Sequence, residues 1–404
     1  MRFQKITFQN IDGNNLSGRI DFPLTGKPKA YVLFAHCFTC SKNLKSVDFI
    51  SQAFTQHGMA VLRFDFTGLG QSKGDFADTN FSSNLSDLKE AYDYLDQHYE
   101  APQIVVGHSL GGAAVLHIAG ELPGVRAVAT VGAPSTPTHV SHLLNSGKNE
   151  LEEKGEAEIN IGGRPFRMKK QFLDDLEENE KKGVIKNLKK ALLVLHSPQD
   201  NTVGIESAQE IFIEAMHPKS FVSLDGADHL LMKEEDARYV GSVISGWAMR
   251  YIDETEVEET PEGEVWTRVG ESGYITEVMA GRHQLIADEP PGVGGTDFGP
   301  TPYGYLLSGL GACTAMTLRM YADFKKIPLE EVKVRLTHDK IHKMDGESSE
   351  DSKGKIDQIK RLISLKGDLT PDQRKRLIEI AGRCPVHKTL EGKPEILTEE
   401  YVRE

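Results

Sequence analysis

Residues 103–119 read QIVVGHSLGGAAVLHIA, and the serine-centred segment GHSLGG occupies positions 107–112 between two apolar runs. The run Gln103–Val106 predicts a strand and Ala113–Ala119 predicts a helix, so the serine lies in a sharp strand-to-helix turn. Glycines flank it because only glycine tolerates the close backbone approach in such a turn. The alternative, a surface serine in a glycine-rich turn, does not account for this strand and helix context. The segment therefore predicts a nucleophilic serine, Ser109.

The sequence around this turn alternates between short apolar runs and helical stretches. The strand-like runs are Ala30–Ala35, Ala60–Phe64, Gln103–Val106, Ala127–Val131 and Ala191–Leu195, and the helical stretches include Leu44–Gln56, Asn84–Gln97 and Ser109–Gly120. Short apolar strands that alternate with helices indicate crossover connections between parallel strands. The sequence therefore predicts an α/β fold with a mainly parallel sheet and helices on both faces.

A charge-rich segment at about 139–190 interrupts this alternation between two predicted strands. Two interpretations stay open: a cap that folds over the active-site end of the sheet, or a solvated helical excursion with no gating role. The alternation ends with a predicted helix at Glu234–Arg250. We therefore expect the first domain to span residues 1–250.

The rest of the chain has a different order of elements. Residues 251–262 are rich in Glu and predict an acidic linker. Residues 263–404 contain strand-like runs, a long apolar helix near 303–324, further strands and a helix from Pro371 to Gly382. This order predicts a separate α+β domain, and a length of 404 residues also favours two domains.

Charge and hydropathy narrow the classes of partner. The formal net charge of −13, from 60 acidic and 47 basic residues, argues against a nucleic-acid partner or an anionic membrane surface. The first residues lack a long apolar run and a small-residue cleavage site, so we expect a cytoplasmic protein. The segment Tyr303–Ala322 has one charge, Arg319, but its Ser, Thr and Gly content and lack of flanking signals favour a buried helix over a membrane span.

A nucleophilic serine needs a base, and the base needs an acid that orients it. In a strand–serine–helix fold of this kind the order along the chain is Ser, acid, His. Asp200 follows the predicted strand ALLVLHS and His229 follows the next one, SFVSLDG, so both lie where open α/β sheets place their sites. We predict a triad of Ser109, Asp200 and His229. Asp225 and Asp228 are competing acids, which we interpret as turn formers.

The oxyanion of acyl transfer needs two backbone donors. We predict the amide of Leu110, which follows the nucleophile, and the amide of Phe38, in the loop after the strand YVLFA. The same loop contains Cys37 and Cys40, a C-x-x-C spacing that also suits redox chemistry or zinc. Zinc would need further ligands, and the other two of the four cysteines are far apart in sequence. We favour the oxyanion loop and expect no metal.

The loop DFTGLGQS at 65–72 resembles a dinucleotide fingerprint in its spacing of glycines. Its third glycine, Gly74, is misplaced by one position, and no helix follows at once. We therefore expect no nucleotide cofactor.

Four motifs give residues 1–250 a close resemblance to the α/β-hydrolase fold enzymes. They are HCFTCS at 36–41, RFDFTGLGQS at 63–72, GHSLGG at 107–112 and GADHLL at 226–231, together with the Asp200 loop. The resemblance implies an eight-stranded sheet, a cap insertion and hydrolysis of an ester, thioester or related acyl bond. The partner would be a small-molecule acyl substrate.

Residues 263–404 resemble the OsmC and organic-hydroperoxide-resistance family of thiol peroxidases. The motifs are LSGLGACTAMTLRMYADFKK at 307–326 and GRCPVHKTL at 382–390. The resemblance implies Cys313 as the peroxidatic thiolate, Cys384 as the resolving cysteine and Arg282 as the arginine that stabilises the thiolate. It also implies an organic hydroperoxide and a thiol reductant as partners, and an intertwined homodimer. Thiolate attack, sulfenic acid formation and condensation to a disulfide suit these residue types.

One position departs from that family. Its hydroperoxide reductases commonly carry a Glu ahead of the peroxidatic Cys, whereas residues 302–305 read PYGY here. Three interpretations stay open: a weak peroxidase activity, another polar partner such as His283, or an electrophile other than a peroxide as the substrate. A competing hypothesis is that this domain is a silent scaffold for ligand binding or dimerisation. The whole chain thus resembles a fusion of an α/β-hydrolase and an OsmC-like domain, in which the product of one site is a candidate substrate for the other.

Overall fold

The computed structural model describes residues 2–23, 27–37, 39–161, 164–180, 183–253, 260–269, 273–342, 355–392 and 394–400. The chain forms two compact units. The first comprises Met1–Trp266 with Met279–Gln284, and the second comprises Thr267–Val278 with Leu285–Glu404.

The first unit contains ten strands and seven α-helices among its described residues. The strands are β1 Arg2–Gln9, β2 Asn15–Phe22, β3 Tyr31–Ala35, β4 Ala60–Phe64, β5 Ile104–His108, β6 Ala127–Val131, β7 Glu156–Ile161, β8 Arg164–Lys169, β9 Ala191–His196 and β10 Lys219–Ser223. The helices are α1 Lys45–Gln56, α2 Phe81–His98, α3 Leu110–Ile118, α4 Lys148–Lys154, α5 Lys170–Glu178, α6 Ile205–Glu214 and α7 Glu234–Ala248.

Eight of these strands form one sheet in the order β1-β2-β4-β3-β5-β6-β9-β10. The strands β1, β2 and β4 pair antiparallel, and all pairs from β4 to β10 are parallel. The predicted mainly parallel sheet is confirmed. The antiparallel strands β1 and β2 are not predicted from the sequence, because their alternating polar residues lack the continuous apolar run of a strand buried on both faces.

Helices cover both faces of this sheet. Leu33 and Val105 pack on the side of α2 and α3, whereas Val32 and Phe34 pack with α1 and α7. Neighbouring residues of a strand point to opposite faces, so a fully apolar strand such as β3 serves two cores at once. The carboxyl ends of the parallel strands are left free for a site.

The charge-rich insertion contains a 3₁₀ segment at Pro137–Gly147, followed by α4, the antiparallel hairpin β7–β8 and α5. The hairpin reaches the short 3₁₀ helix Phe76–Asp78: the rings of Phe166 and Phe76 have centroids 5.2 Å apart, and Arg167 pairs with Asp75 at 2.6 Å. Because Phe76 also lines a cavity beside the serine turn, the insertion packs against a wall of that cavity. This contact favours the cap interpretation over a free excursion.

The elements that follow are strands β11 Val265–Val269, β12 Thr276–Ala280, β13 His283–Ala287, β14 Leu329–His342 and β15 Lys355–Gly367, with helices α8 Pro302–Lys325, α9 Pro371–Ala381 and α10 Pro385–Glu391. The strands form a three-stranded sheet, β11-β12-β13, and an antiparallel pair, β14-β15. The predicted α+β class is therefore confirmed. Helix α8 begins at the cap residue Thr301, whose hydroxyl accepts the N–H of Gly304.

The core of the second unit is small. Leu318 and Ala322 of α8 pack with Leu377 of α9 and with Leu329 at the start of β14. Among the described residues, no helix is long and apolar enough to cross a membrane. The segment Tyr303–Ala322 is accordingly the body of α8.

Candidate active sites

Ser109 lies in a strained turn between β5 and α3. Its backbone has φ +54° and ψ −126°, a region that serine rarely adopts. A Cβ at Gly107 would lie 2.3 Å from the carbonyl oxygen of Gly111, and one at Gly111 would lie 2.5 Å from the carbonyl oxygens of Ala35 and His36. The two flanking glycines are therefore required by close packing against α3 and the end of β3.

The structure brings the three residues of the predicted triad together. His229 Nε2 lies 3.0 Å from Ser109 Oγ, and His229 Nδ1 lies 2.7 Å from Asp200 Oδ2. An Nδ1–H that donates to Asp200 leaves Nε2 free to accept the serine proton. The arrangement has the geometry of a nucleophile, a base and an orienting acid.

Asp200 is held on both carboxylate oxygens. Its Oδ1 accepts the backbone N–H groups of Thr202 at 2.8 Å and Val203 at 3.0 Å, while Oδ2 faces His229. Burial by itself would raise the pKa of Asp200, but the His229 imidazole and these N–H donors hold the pKa below its ordinary value. The acid is therefore a carboxylate throughout the neutral range.

The competing acids have other partners. Asp228 accepts the backbone N–H groups of Leu230 and Met232, and Asp225 accepts the hydroxyl of Ser223. Both bond within a few residues of their own position, as turn formers do. Neither of these bonds is to His229.

Two further residues beside the base and the acid were not identified from the sequence. His108 is buried, and its Nε2–H donates to the backbone carbonyl of His229 at 2.7 Å. Burial, together with the nearby His229, lowers the pKa of His108 to about 3, so its ring is neutral. Gly132, at φ +54°, leaves room beside the pair, since a Cβ there would lie 3.2 Å from Asp200 Oδ2. His108 stands inside the GHSLGG motif, but its partner lies 121 residues away.

The loop after β3 is tied down by a buried charged network. Lys42 donates its N–H at 2.7 Å and its Nζ at 2.5 Å to Asp65, and its carbonyl accepts from Arg63 at 2.8 Å. Arg63 also pairs with Asp21 at 2.7 Å and Asp48 at 2.6 Å. This network explains the DFTGLGQS loop without a nucleotide: a Cβ at Gly70 would lie 2.3 Å from Asp65 Oδ2.

Cys37 and Cys40 form a disulfide bond, which occupies the two sulfurs that a zinc site would need. Phe38, the predicted oxyanion donor, lies outside the described residues, and its role stays a prediction. Leu110 is described, and it begins α3 directly after Ser109. The disulfide therefore closes the loop that was predicted to carry the second donor.

A small cavity lies beside Leu110. It is lined mainly by apolar side chains, and its lining residues are His36, Cys37, Phe66, Leu69, Phe76, Asn84, Leu110, Gly111 and Ala114. Its volume is about 10 Å³, room for roughly one water molecule. Since the cap hairpin packs against Phe76, a larger group enters only if this side chain or the cap moves.

The second unit contains a pair of free thiols. Cys313 lies on α8 and is partly exposed, whereas Cys384, the residue before α10, is buried. The side chain of Cys313 interacts with Cys384 and lowers the pKa of the Cys384 thiol. Cys384 Sγ also accepts the backbone N–H of His387 at 3.4 Å and lies 3.7 Å from Thr314 Oγ1.

The electrostatics of this pair lower the pKa of Cys384. Burial would raise the pKa of Cys384, but the His387 N–H, the Thr314 and Cys313 side chains and the positive charge of Arg361 hold the pKa below its usual value. Arg361 was not identified from the sequence, because its position on β15 reads as one charge in a basic strand.

The predicted arginine, Arg282, is exposed in the turn between β12 and β13, and His283 is exposed beside it. Both belong to the first compact unit, whereas the two thiols belong to the second. The pairing of Arg282 or His283 with Cys313 stays a prediction.

Two protein families match different parts of the chain, one part for each candidate site. Residues 26–151 match the family described as "Serine aminopeptidase, S33", and residues 294–399 match the family described as "OsmC-like protein". The first stretch contains Ser109, and the second contains both free thiols.

Among curated relatives, the mitochondrial palmitoyl-protein thioesterase ABHD10 of Rattus norvegicus is 32% identical over 129 residues, which is 31% of this chain and 42% of that protein. The monoglyceride lipase of Rattus norvegicus is 31% identical over 116 residues, 28% of this chain and 37% of that protein. The chain thus spans less than half the length of these two relatives.

Among solved structures, an esterase domain from a Rhodothermus marinus protein is 50% identical, with a TM-score of 0.53, and the match covers 63% of this chain and all of that domain. The mouse α/β-hydrolase domain-containing protein 10 is 20% identical, with a TM-score of 0.52, over 61% of this chain and 99% of that one. The mouse structure shows likeness of fold alone.

Proposed function

Because the chain belongs to the α/β-hydrolase family through its N-terminal domain and carries an OsmC-like domain after it, we propose that it joins a serine hydrolase to a thiol peroxidase. The N-terminal domain is a hydrolase of the esterase or thioesterase type. We assign the hydrolase domain to residues 1–250, the linker to residues 251–262 and the OsmC-like domain to residues 263–404.

The observation that supports the hydrolase proposal is the chain of hydrogen bonds from Ser109 through His229 to Asp200, at 3.0 and 2.7 Å. In the proposed mechanism, Ser109 Oγ attacks the acyl carbon while His229 Nε2 takes its proton, and Asp200 stabilises the imidazolium. The oxyanion accepts N–H groups from Leu110 and Phe38. His229 then protonates the leaving alcohol or thiol, and water hydrolyses the acyl-enzyme by the same steps.

We propose short acyl esters and thioesters as the substrates of this site. The cavity beside Leu110 is lined mainly by apolar side chains, which suits an acyl chain, and its volume of about 10 Å³ means that it opens to admit any acyl group. The relative named as a palmitoyl-protein thioesterase supports thioesters as a leaving-group class. Closure by Phe76 and Phe166 supports a limit on chain length.

A serine-directed fluorophosphonate and a series of acetyl, butyryl and octanoyl esters and thioesters test this proposal. We expect labelling and turnover of the shorter substrates by the wild type and by Cys313→Ser, and neither by Ser109→Ala. Wild-type protein that is folded but unlabelled and inactive on the whole series would contradict it.

For the OsmC-like domain, we propose reduction of organic hydroperoxides. The partly exposed Cys313 attacks the peroxide and becomes a sulfenic acid, the alcohol leaves, and Cys384 condenses with the sulfenic acid to form a disulfide and water. A dithiol reductant returns both thiols. The support is the pairing of one partly exposed thiol with one buried thiol that favours the thiolate.

Thiol-dependent consumption of cumene hydroperoxide tests this assignment. We expect turnover by the wild type and by Ser109→Ala, and none by Cys313→Ser. If the wild type does not turn over, the competing scaffold function is favoured, consistent with the absence of an acid in the described residues 302–305 at the start of α8.

We also propose that the OsmC-like domain forms a homodimer. Its helix α8 exposes large apolar side chains, including Met316, Met320 and Phe324, of which Phe324 is 77% exposed. Light scattering on the full chain tests this: we expect a dimer, and a monomer after Met320→Glu with Phe324→Glu.

We propose last that the protein is cytoplasmic and that its two sites act in sequence. The hydrolase releases a peroxidised acyl product, and the thiol pair then reduces that product. An esterified hydroperoxide tests the link, because its reduction should slow in Ser109→Ala. An unchanged rate in that variant removes the link and leaves the two activities separate.

A further inference from the structure

Arg361 lies on β15 in the second unit, and its positive charge acts on the thiol pair. It acts through a threonine. Arg361 Nη1 donates to Thr314 Oγ1 at 2.8 Å, and the same hydroxyl lies 3.7 Å from Cys384 Sγ and 2.7 Å from the carbonyl of Leu310. Thr314 is fully buried. The hydroxyl therefore donates to the Leu310 carbonyl and accepts from Arg361, and it links the guanidinium to the sulfur.

We propose that Arg361 is a positioning residue that acts through Thr314 to keep the negative charge of the thiol pair on Cys384, so that Cys384 takes the proton of Cys313 when Cys313 attacks. This inference deepens the proposed peroxidase function and rests on it.

The surroundings of Cys384 support this placement of charge. The groups that face its sulfur are Cys313 and Thr314 from α8, Arg361 from β15 and the backbone N–H of His387 from α10. The His387 ring pairs instead with Glu391 at 2.9 Å. The His387 N–H donates to the sulfur and Arg361 carries positive charge, so both favour the thiolate form of Cys384.

The difference in exposure of the two thiols defines their tasks. Cys384 is completely buried, so a peroxide from solution meets Cys313, which is partly exposed. The thiol of Cys313 needs a base, and the side chain with which it interacts is Cys384. A thiolate at Cys384 therefore serves the thiol beside it and is shielded from other electrophiles.

The reaction balances in two steps. First, the Cys313 proton passes to Cys384, the Cys313 thiolate attacks the peroxide oxygen, the O–O bond breaks, and the alkoxide takes a proton from water. Second, Cys384 sulfur attacks the sulfenic sulfur of Cys313, the S–OH bond breaks, and the hydroxide leaves as water with the Cys384 proton. The two thiols have then been oxidised by two electrons, and a dithiol reductant restores them.

The test uses the full chain with Cys313→Ser, in which Cys384 is the one free thiol, since Cys37 and Cys40 are joined. The ultraviolet absorbance of the thiolate is followed against pH in this parent and after adding Arg361→Gln, Arg361→Lys or Thr314→Val. Lys360→Gln is the matched control, because it removes one positive charge from the next, exposed residue of the same strand.

We expect Arg361→Gln to raise the titration midpoint, with about a tenfold loss of thiolate at a fixed pH below it. Arg361→Lys should restore most of the thiolate, Thr314→Val should lose part of it, and Lys360→Gln should match the parent. In protein that retains Cys313, Arg361→Gln should slow hydroperoxide turnover at low pH. The turnover rate should recover at high pH.

Equal midpoints in Arg361→Gln, Lys360→Gln and the parent, in protein with an unchanged circular dichroism spectrum, would overturn the assignment of Arg361. A shifted midpoint in a protein that consumes no hydroperoxide has a different meaning: the control of charge at Cys384 stands, and the peroxidase function fails.

Discussion

The serine centre and the thiol centre of this chain are built in different ways. Ser109, Asp200 and His229 each follow a strand of one eight-stranded parallel-rich sheet, whose two faces are covered by large cores. Cys313 and Cys384 meet where two helices and one strand of a two-stranded sheet come together over a small core. The sheet aligns its site by strand order, whereas the thiol pair depends on the packing of α8 against its neighbours.

This difference predicts which substitutions each site can tolerate. At the serine centre, backbone donors and buried neighbours such as His108 hold each catalytic group, so removing a single partner should change chemistry and leave the fold intact. At the thiol centre, the fold and the chemistry share the same helix, since Leu318 and Thr314 both lie on α8. The following predictions test this contrast, from the largest effect to the smallest.

Asp200→Asn should lower kcat for ester hydrolysis by about 10⁴-fold, because an amide no longer holds the productive tautomer of His229. The protein should remain folded. The control is Asp228→Asn, one residue before His229, which removes a turn-forming carboxylate outside the triad. Equal activities in the two variants would remove Asp200 from the triad.

Leu318→Ala should destabilise the second unit by about 2–5 kcal/mol, because this side chain is fully buried in a small core. We expect a lower melting temperature for that unit and loss of thiol reactivity, with ester hydrolysis retained. Ile378→Ala on α9 is the control, since Ile378 is 49% exposed. A parallel loss of ester hydrolysis would show that the two units do not fold independently.

Breaking the Cys37–Cys40 disulfide should lower kcat for ester hydrolysis by up to about 10²-fold, the cost of losing one oxyanion donor. The disulfide joins the residues that bracket the predicted donor, Phe38. The measurement compares Cys37→Ser/Cys40→Ser with Cys313→Ser/Cys384→Ser, which should hydrolyse esters like the wild type. An effect on KM alone would contradict a role in oxyanion stabilisation.

The buried His108 should make the first unit less stable in acid. Its pKa is lowered to about 3 in the folded protein and is about 6.5 when unfolded, so the unfolded state binds the proton first as the pH falls. The contribution to the free energy of unfolding is complete above about pH 6.5 and falls by about 1.4 kcal/mol per pH unit below it.

Urea unfolding between neutral pH and pH 4 measures this slope. His108→Asn should flatten the pH dependence, and His98→Asn should leave it unchanged, because His98 is exposed on α2. The same slope in both variants would assign the acid sensitivity to other groups.

Much of the serine centre was predictable because its signals are local. The spacing of GHSLGG encodes a turn, and Asp200 and His229 each follow a strand-like run whose end marks the site edge of a parallel sheet. The helix α8 was recognised near its observed bounds of Pro302–Lys325 for the same reason: its stretch Tyr303–Ala322 carries a single charge, Arg319. The hairpin β7–β8 inside the insertion was not predicted, since its strands are short and charged.

The sequence by itself determined which residues the two proposed centres contain: a serine on a glycine-flanked turn, an acid and a base after it along the chain, and two cysteines in characteristic motifs. Tertiary structure decided which distant groups control that chemistry. His108 reaches the backbone of His229, Lys42 meets Asp65, and Arg361 meets Thr314. The physical reason is that local spacing encodes local backbone geometry, whereas partners across strands are set by sheet order and helix packing, which no short segment contains.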